Sequence, residues 1–406
     1  MNRLKTLFRS GSIVILAATV VGGLAGYLAN AIVGANITAV EYSSFGVFWS
    51  ALYFIIAVIS GVQQEVTRAT RPKQDHSSGG ALARRFAVIG AVATGAIVFV
   101  SGFWWAPIVF PSSDVWAVVA PIALGCSAYF VVAVLSGTLY GLTLWPAIGA
   151  MIVVDGVLRL AAIGTVLIGG WGETALYWAV VLPFPLTPSI LWWVFRSRVV
   201  GRSMLDVGAA ELTWNSLRTT TAAVAIGVLV SGFPVVLALV RPSAPAEELG
   251  TVIFGINLVR APLVTIVLSL QSYLVIRFRS EPGRSGRTAA MLIGIIIGAA
   301  LVFAGVAVLV AEWLLPILWA DYALSGGFIA ALAGSGGMLG LLCVSGPLAL
   351  AKSRHGAYSL GWVAAAAVAV IALMSPLPLV TAIVVALSAG PAIGVAIHLI
   401  GARYSH

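Results

Sequence analysis

Three ionisable side chains lie inside long apolar stretches of the sequence, where a charge is costly. Asp155 and Arg159 are four residues apart in Ile-Val-Val-Asp-Gly-Val-Leu-Arg-Leu, and Arg260 lies in Ile-Asn-Leu-Val-Arg-Ala-Pro-Leu. A charged residue inside a membrane-spanning helix is a candidate functional residue, because the hydrocarbon offers it no water. Since the guanidinium fork binds phosphate oxygens in pairs, the two arginines suggest an anionic ligand.

The same residues also have a structural interpretation, as an alternative to ligand binding. Side chains at positions i and i+4 lie on one face of a helix, so Asp155 and Arg159 can form an ion pair that neutralises both. Arg260 has no carboxylate three or four residues away. Its partner must therefore come from another helix, with Asp155 the main candidate, or from a ligand or water.

Asn30 and Asn257 are further candidates for substrate binding, since both amides fall within apolar stretches. The alternative for each is a hydrogen bond between helices, which is a common role of amides in membrane proteins. Gln63, Gln64 and Gln271 have the same two interpretations.

The composition identifies an integral membrane protein. The 406 residues are 61% hydrophobic and only 9% charged, and the mean hydropathy is +1.08. Soluble domains carry about 25% charged residues. The first apolar stretch, 13–35, is longer than the roughly 7–15 residues of a signal-peptide core, so we expect it to remain as a transmembrane helix.

Hydropathy predicts an all-α polytopic membrane protein with twelve transmembrane helices in two repeated six-helix bundles. The predicted spans are 12–35, 46–64, 86–110, 115–141, 145–169, 174–195, 219–240, 250–274, 288–316, 325–350, 357–375 and 379–401. We expect an N-terminal bundle over 1–197, a cytoplasmic amphipathic linker over 198–217 and a C-terminal bundle over 218–406.

Two sequence echoes support the duplication. Glu41, before an apolar helix, recurs as Glu248, and Ser136-Gly-Thr-Leu recurs as Ser345-Gly-Pro-Leu at nearly the same offset. Two landmarks that share one offset indicate a repeated bundle.

Basic residues predict the orientation. All 22 Lys and Arg residues except Arg159, Arg260 and Arg241 fall in alternate loops or at the termini, on one side of the membrane. Because positive residues favour the cytoplasmic side, we expect a multi-pass plasma-membrane protein with both termini in the cytoplasm. The net charge of +9 therefore reflects topology, and we expect no nucleic-acid partner.

Motifs of enzymes are missing from the sequence. It has no Walker A sequence, no HExxH and no nucleophile elbow. Cys126 and Cys343 lie in separate spans without the spacing of metal ligands, and the four histidines are scattered. We expect neither catalysis, a cofactor nor a metal.

The twelve spans and the segment Ala39-Val-Glu-Tyr-Ser-Ser-Phe-Gly46 resemble the multidrug/oligosaccharidyl-lipid/polysaccharide (MOP) exporter superfamily, most of all its Wzx-like polysaccharide flippases. The resemblance implies two bundles that open alternately to either side of the membrane. It also implies translocation of a polyprenyl-pyrophosphate-linked oligosaccharide for polysaccharide biosynthesis of the cell envelope. Expected partners are the lipid-linked glycan, membrane lipid, and glycosyltransferases or a polymerase of the same pathway.

Two other functions remain in competition with a flippase. A cation-coupled multidrug exporter of the same superfamily typically holds carboxylates in its first or seventh helix, and spans 12–35 and 219–240 contain none. A non-transporting scaffold for glycan enzymes is the other alternative, although charges near the membrane midplane argue against it.

Overall fold

The computed structural model describes residues 11–72, 80–111, 113–280 and 282–403. Side chains are described throughout these ranges except at 11, 12, 16, 80, 81, 222, 261–270, 272, 273, 276, 279, 280, 282, 310, 312 and 403. Four of the basic residues used to predict the orientation, Arg3, Lys5, Arg9 and Lys73, lie outside the described residues.

The first half of the chain contains seven α-helices in its described part. They are α1 (Gly11–Asn36), α2 (Ala39–Ala69), α3 (Gly80–Val109), α4 (Val115–Gly141), α5 (Trp145–Gly169), α6 (Glu173–Val181) and α7 (Pro183–Val199). Only Leu182 separates α6 from α7, and together they make one span, Glu173–Val199.

The second half likewise has seven α-helices among its described residues. They are α8 (Ala209–Val230), α9 (Phe233–Val240), α10 (Ala246–Ser280), α11 (Ser285–Leu318), α12 (Gly326–Ala351), α13 (His355–Met374) and α14 (Leu379–Arg403). A short 3-10 helix, Pro282–Arg284, precedes α11.

The helices confirm the predicted all-α membrane fold. Within the described residues, ten helical segments are long and apolar enough to cross a membrane, and α8 with α9 makes an eleventh that is bent by 75°. The remaining predicted span, 250–274, lies within α10, part of which carries no described side chains. Each of the twelve predicted spans therefore corresponds to one helix or one broken helix.

Contacts divide the chain into two compact units. Unit 1 comprises Met1–Ala29 and Phe48–Gly227, and unit 2 comprises Asn30–Val47 and Val228–His406. In unit 1, α4 packs against α3, α5, α6 and α7, and in unit 2, α12 packs against α10, α11, α13 and α14. Ser136 and Ser345 lie near the ends of these two central helices, as a repeat predicts.

The second helix begins earlier than hydropathy predicted, at Ala39 rather than residue 46. Thr38 and Glu41 form a capping box: the backbone N–H and hydroxyl of Thr38 donate to Glu41 Oε2 at 2.8 and 3.0 Å, and the Glu41 N–H donates to Thr38 Oγ1 at 3.3 Å. Such a cap satisfies the free N–H groups of the first turn. Glu41 is therefore a helix-start residue, and Glu248 likewise lies in the first turn of α10.

The segment predicted as the linker, 198–217, contains the end of α7, the strand β2 (Ser203–Leu205) and the start of α8. β2 pairs in antiparallel fashion with β1 (Thr70–Pro72), which follows α2. Buried Glu65 reinforces this junction, since it accepts two bonds from Arg68 and one from Asn215 Nδ2 at 3.1 Å. The linker is thus attached to α2 within unit 1, and the predicted domain boundaries stay a prediction.

Candidate functional site

Asp155 and Arg159 form the ion pair that their spacing predicted. Arg159 Nη2 donates to Asp155 Oδ2 at 2.6 Å, one turn apart on α5. The Arg159 side chain is 2% exposed and that of Asp155 is 31% exposed. The carboxylate therefore keeps access to its surroundings, whereas the guanidinium is enclosed by protein.

Aromatic side chains complete the environment of Arg159. Its Nη1 donates to the Tyr53 hydroxyl on α2. The guanidinium carbon lies 4.7 Å from the centre of the Phe184 ring and 5.5 Å from that of Tyr53. Because ring faces attract cations, these contacts add to the ion pair in compensating the buried charge. Tyr53 is in turn stacked on Trp49, with ring centres 4.8 Å apart.

A cavity of about 300 Å³ opens beside this pair, entirely within unit 1. Helices α1, α2, α4, α5 and α7 supply its walls. The polar or charged lining residues are Tyr53, Gln63, Tyr129, Ser136, Tyr140, Asp155, Arg159 and Thr187, and the others are Gly22, Gly26, Val132, Ile148, Met151, Ile152 and Gly156. This volume is at the lower end of the range for small-molecule sites.

Small residues let α1 approach α5 at one wall of the cavity. A Cβ atom at Gly156 would lie 3.0 Å from Ala25 Cβ, and one at Gly22 would lie 2.6 Å from Ile152 Cγ2. A Cβ at Gly26 would meet no atom within 4 Å. Gly22 therefore allows α1 to pack closely against α5, whereas Gly26 leaves open space.

Arg260 lies on α10 in unit 2 and is 2% exposed. Its Nε and Nη2 atoms have no hydrogen-bond partner among the described residues, and none of the ion pairs found there includes it. The side chains that follow it on α10, 261–270, belong to the undescribed part. Within the described structure, Arg260 is therefore a buried cation without an ion pair, and two of its three guanidinium nitrogens have no partner.

Asn30 and Asn257 meet at one hydroxyl in unit 2. The buried Tyr42 donates its O–H to Asn30 Oδ1, and Asn257 Nδ2 donates to Tyr42 Oη at 3.3 Å. The Tyr42 ring contacts Phe254 and Tyr322 edge-on, at centre distances of 5.1 and 5.8 Å. Burial raises the pKa of Tyr322, which lies between two spans. The two amides thus join α1, α2 and α10 through Tyr42, while their assignment to substrate binding stays a prediction.

The sequence did not predict the polar cluster around His398. This histidine is completely buried on α14; its Nδ1 lies 3.0 Å from Ser345 Oγ on α12, and its Nε2 lies 3.0 Å from the carbonyl oxygen of Tyr358 on α13. Gly361 leaves room for the ring, since a Cβ there would lie 2.2 Å from Nε2. Both ring nitrogens have partners, so the cluster joins three helices of unit 2.

Proteins of two mycobacterial species match almost the whole chain. An uncharacterized protein of Mycobacterium bovis is 32% identical over 405 residues, covering 96% of this chain and 92% of the relative. An uncharacterized protein of Mycobacterium tuberculosis is 31% identical over 365 residues, with 88% and 83% covered. The chain belongs to this mycobacterial protein family. No protein-family model matches the chain.

Solved structures show which fold this chain has. An inward-facing multidrug resistance MATE transporter of the MOP superfamily superposes with a TM-score of 0.66 at 13% identity, covering 97% of both chains. A MOP superfamily transporter from Pyrococcus furiosus, whose binding pocket has a reversed polarity that suggests a different function, gives 0.58 at 15% identity over 97% of this chain and 94% of the other. The chain therefore has the fold of these MOP superfamily transporters.

Several residues of the site carried no signal in the sequence. Tyr53, Tyr129 and Thr187 come from three different helices, and their residue types are ordinary in membrane spans. Only the tertiary packing brings them to Asp155. Among the residues described, no group of three or more His, Cys, Asp or Glu side chains is arranged to hold a metal.

Proposed function

We propose that the protein is a flippase that moves a polyprenyl-pyrophosphate-linked oligosaccharide across the plasma membrane by alternating access. The MOP transporter fold supports transport, and Arg260 supports an anionic cargo. The mycobacterial relatives have no assigned cargo, so the chemistry of the buried side chains carries the proposal. The translocated lipid-linked oligosaccharide is used for polysaccharide biosynthesis at the cell surface, in a pathway that includes glycosyltransferases or a polymerase.

The carrying observation is the buried guanidinium of Arg260, with two nitrogens that no described residue satisfies. A charged side chain at the centre of a membrane helix costs about 2.5–3.5 kcal/mol on insertion scales. A pyrophosphate supplies both the opposite charge and the acceptor oxygens. Such charge-assisted bonds are stronger than bonds between neutral groups, and two of them also fix the orientation of the phosphate.

Arg159 and Asp155 are candidate contacts to the cargo in unit 1. Because they neutralise each other, they contact uncharged groups of the headgroup, whereas Arg260 is the candidate partner of the pyrophosphate. Asn30 and Asn257 are candidate contacts to the cargo, and each bonds the Tyr42 hydroxyl through only one of the two polar atoms of its amide. The polyprenyl tail remains in the lipid while the polar headgroup crosses.

The charges inside the spans support this function over cation-coupled drug export. A cationic drug needs a carboxylate that is free to pair with it. The first helix, α1, has no Asp or Glu, nor has the predicted seventh span, 219–240. Asp155 is already paired with Arg159. Arg260 therefore favours an anionic cargo, whereas a scaffold without transport gives Arg260 no ligand.

Accumulation of lipid-linked precursor in cells tests the proposal. Arg260→Ala is expected to stop transport and accumulate the precursor, while Arg260→Lys, which keeps the charge but loses the fork, impairs transport in part. Arg287→Ala is the matched control, since this arginine near the start of α11 is exposed. Wild-type surface glycan in Arg260→Ala cells, at matched expression, would leave Arg260 as a packing residue.

A further inference from the structure

We propose that the cavity of unit 1 binds one uncharged sugar ring, which is a headgroup subsite for the glycan of the proposed flippase. This inference rests on the proposed function for its biological meaning and on the cavity lining for its chemistry. The lining has no net charge, many hydroxyl groups and rigid aromatic side chains. Each of these three properties restricts the ligand.

The charge of the lining excludes an ionic ligand. Asp155 and Arg159 are the only charged side chains among the described residues that line the cavity, and they neutralise each other. Arg159 is also bonded to Tyr53 and packed on Phe184. A cation or an anion held here would lack a free counter-charge, and a buried charge without a partner is strongly unfavourable. A neutral ligand meets no such penalty.

The hydrogen-bonding groups of the lining match a polyhydroxylated ligand. Thr187 is 2% exposed, and its Oγ1 has no hydrogen-bond partner among the described residues. Arg159 engages Oδ2 of Asp155, and the Asp155 side chain is still 31% exposed. Buried polar atoms are nearly always paired. Since a hydroxyl both donates and accepts, sugar hydroxyls can satisfy Thr187 and donate to the carboxylate.

Tyr129 supplies aromatic surface to the same cavity. Its ring packs edge-on against Phe184, with ring centres 5.3 Å apart, and is therefore held in place. Tyr53 also lines the cavity, but Trp49 is stacked on its ring and Arg159 lies over it, so Tyr129 is the ring proposed to contact the sugar. The electron-rich face of a ring attracts the C–H groups on the flat side of a pyranose. A lining that combines ring faces with hydroxyl partners suits a sugar better than a purely apolar molecule. The volume of about 300 Å³ suits a small ligand rather than a whole oligosaccharide.

Binding of methyl glycosides to the purified full-length protein tests the site. The probes are the methyl pyranosides of glucose, mannose, galactose and rhamnose, with methyl glucuronide as the charged counterpart, and saturation-transfer NMR measures binding. Ligands of about a dozen heavy atoms bind with a Kd on the order of millimolar. We expect at least one neutral glycoside to bind in this range, and the glucuronide to bind at least about tenfold more weakly, because it brings an unpaired charge.

Thr187→Val is the decisive variant, because it removes the unpaired hydroxyl and keeps the side-chain shape. It is expected to weaken glycoside binding about three- to tenfold, as the loss of one hydrogen bond predicts, and to leave the unfolding temperature unchanged or raised. Thr138→Val is the control, since the Thr138 hydroxyl already donates to Val134 O at 2.9 Å and does not line the cavity. It is expected to leave binding unchanged.

Three results would overturn the sugar site: no glycoside of the panel binds, the glucuronide binds as well as the neutral sugars, or Thr187→Val binds like the wild type. Binding of geranylgeranyl pyrophosphate, measured in parallel, separates this inference from the proposed function. If that lipid binds in an Arg260-dependent manner while no glycoside binds, the sugar site is wrong and the flippase proposal stands. If glycosides bind and the pyrophosphate does not, the sugar site stands and the flippase proposal is wrong.

Discussion

Arg159 Nη2 lies 2.6 Å from Asp155 Oδ2, and this pair sits at the wall of the cavity in unit 1. The arginine is enclosed, and the aspartate is partly open to its surroundings. Because the two residues are one helical turn apart, the buried charge of Arg159 is compensated while Asp155 remains a polar group that a ligand can reach. The pair therefore contributes both to the stability of unit 1 and to its proposed ligand site.

A double-mutant cycle should show strong coupling between Asp155 and Arg159. We expect a coupling free energy of about 1–3 kcal/mol from Asp155→Asn, Arg159→Met and their combination, because removing one partner leaves the other uncompensated. The measurement is thermal unfolding in detergent. The control pair is Arg71 and Asp206, 3.2 Å apart with side chains 55% and 30% exposed, for which about 1 kcal/mol or less is expected. Equal coupling in the two pairs would contradict this account.

Tyr42→Phe should destabilise unit 2. The change removes the hydroxyl shared by Asn30 and Asn257, and leaves two amides without that partner, at a cost of about 1–3 kcal/mol. The comparison is Tyr322→Phe, which loses one bond, from the hydroxyl to Ile37 O at 3.3 Å. A smaller drop in unfolding temperature for Tyr42→Phe than for Tyr322→Phe would show that the Tyr42 hydroxyl does not hold the helices together.

Glu65→Gln should loosen the junction between α2 and the segment 198–217, which contains Asn215. Glu65 is 4% exposed and binds Arg68 and Asn215, so weakening these bonds by one or two kcal/mol raises local opening about five- to thirtyfold. Trypsin cleavage at the exposed Arg202 reports the opening. Asp206→Asn changes a more exposed ion pair and should have a smaller effect. Equal cleavage rates in both variants would assign no special role to Glu65.

Labelling of single cysteines should confirm the predicted orientation. A membrane-impermeant maleimide added to intact cells is expected to modify Ser243→Cys, in the loop before α10, and to spare Arg202→Cys, in the loop after α7. The native Cys126 and Cys343 are buried, so they give little background. Labelling of Arg202→Cys alone would reverse the topology that the basic residues predict.

Hydropathy located the helices because a segment that crosses the membrane must satisfy its backbone hydrogen bonds internally. Each long apolar stretch is therefore a helix. The fourth and fifth spans, 115–141 and 145–169, have the predicted limits. The second begins earlier than predicted, because Glu41 looks like a loop residue in a hydropathy scan and is instead part of the cap with Thr38. Hydropathy therefore places the start of a helix too late where the first turn contains a polar capping residue.

The site was predictable only where its members share one helix. Asp155 and Arg159 are one turn apart, so their pair followed from spacing. Tyr53, Tyr129 and Thr187 lie on other helices, and no local pattern relates them to Asp155. His398 likewise needed α12 and α13 to supply Ser345 and the Tyr358 carbonyl.

Translocation in proteoliposomes tests the central claim most directly. A fluorescent polyprenyl-pyrophosphate-linked monosaccharide is placed in both leaflets, and a membrane-impermeant quencher measures its appearance in the outer leaflet. We predict rapid translocation by the wild type and by Arg287→Ala, partial translocation by Arg260→Lys, and the protein-free rate for Arg260→Ala. Translocation by Arg260→Ala at the wild-type rate, with equal amounts of folded protein, would contradict the account.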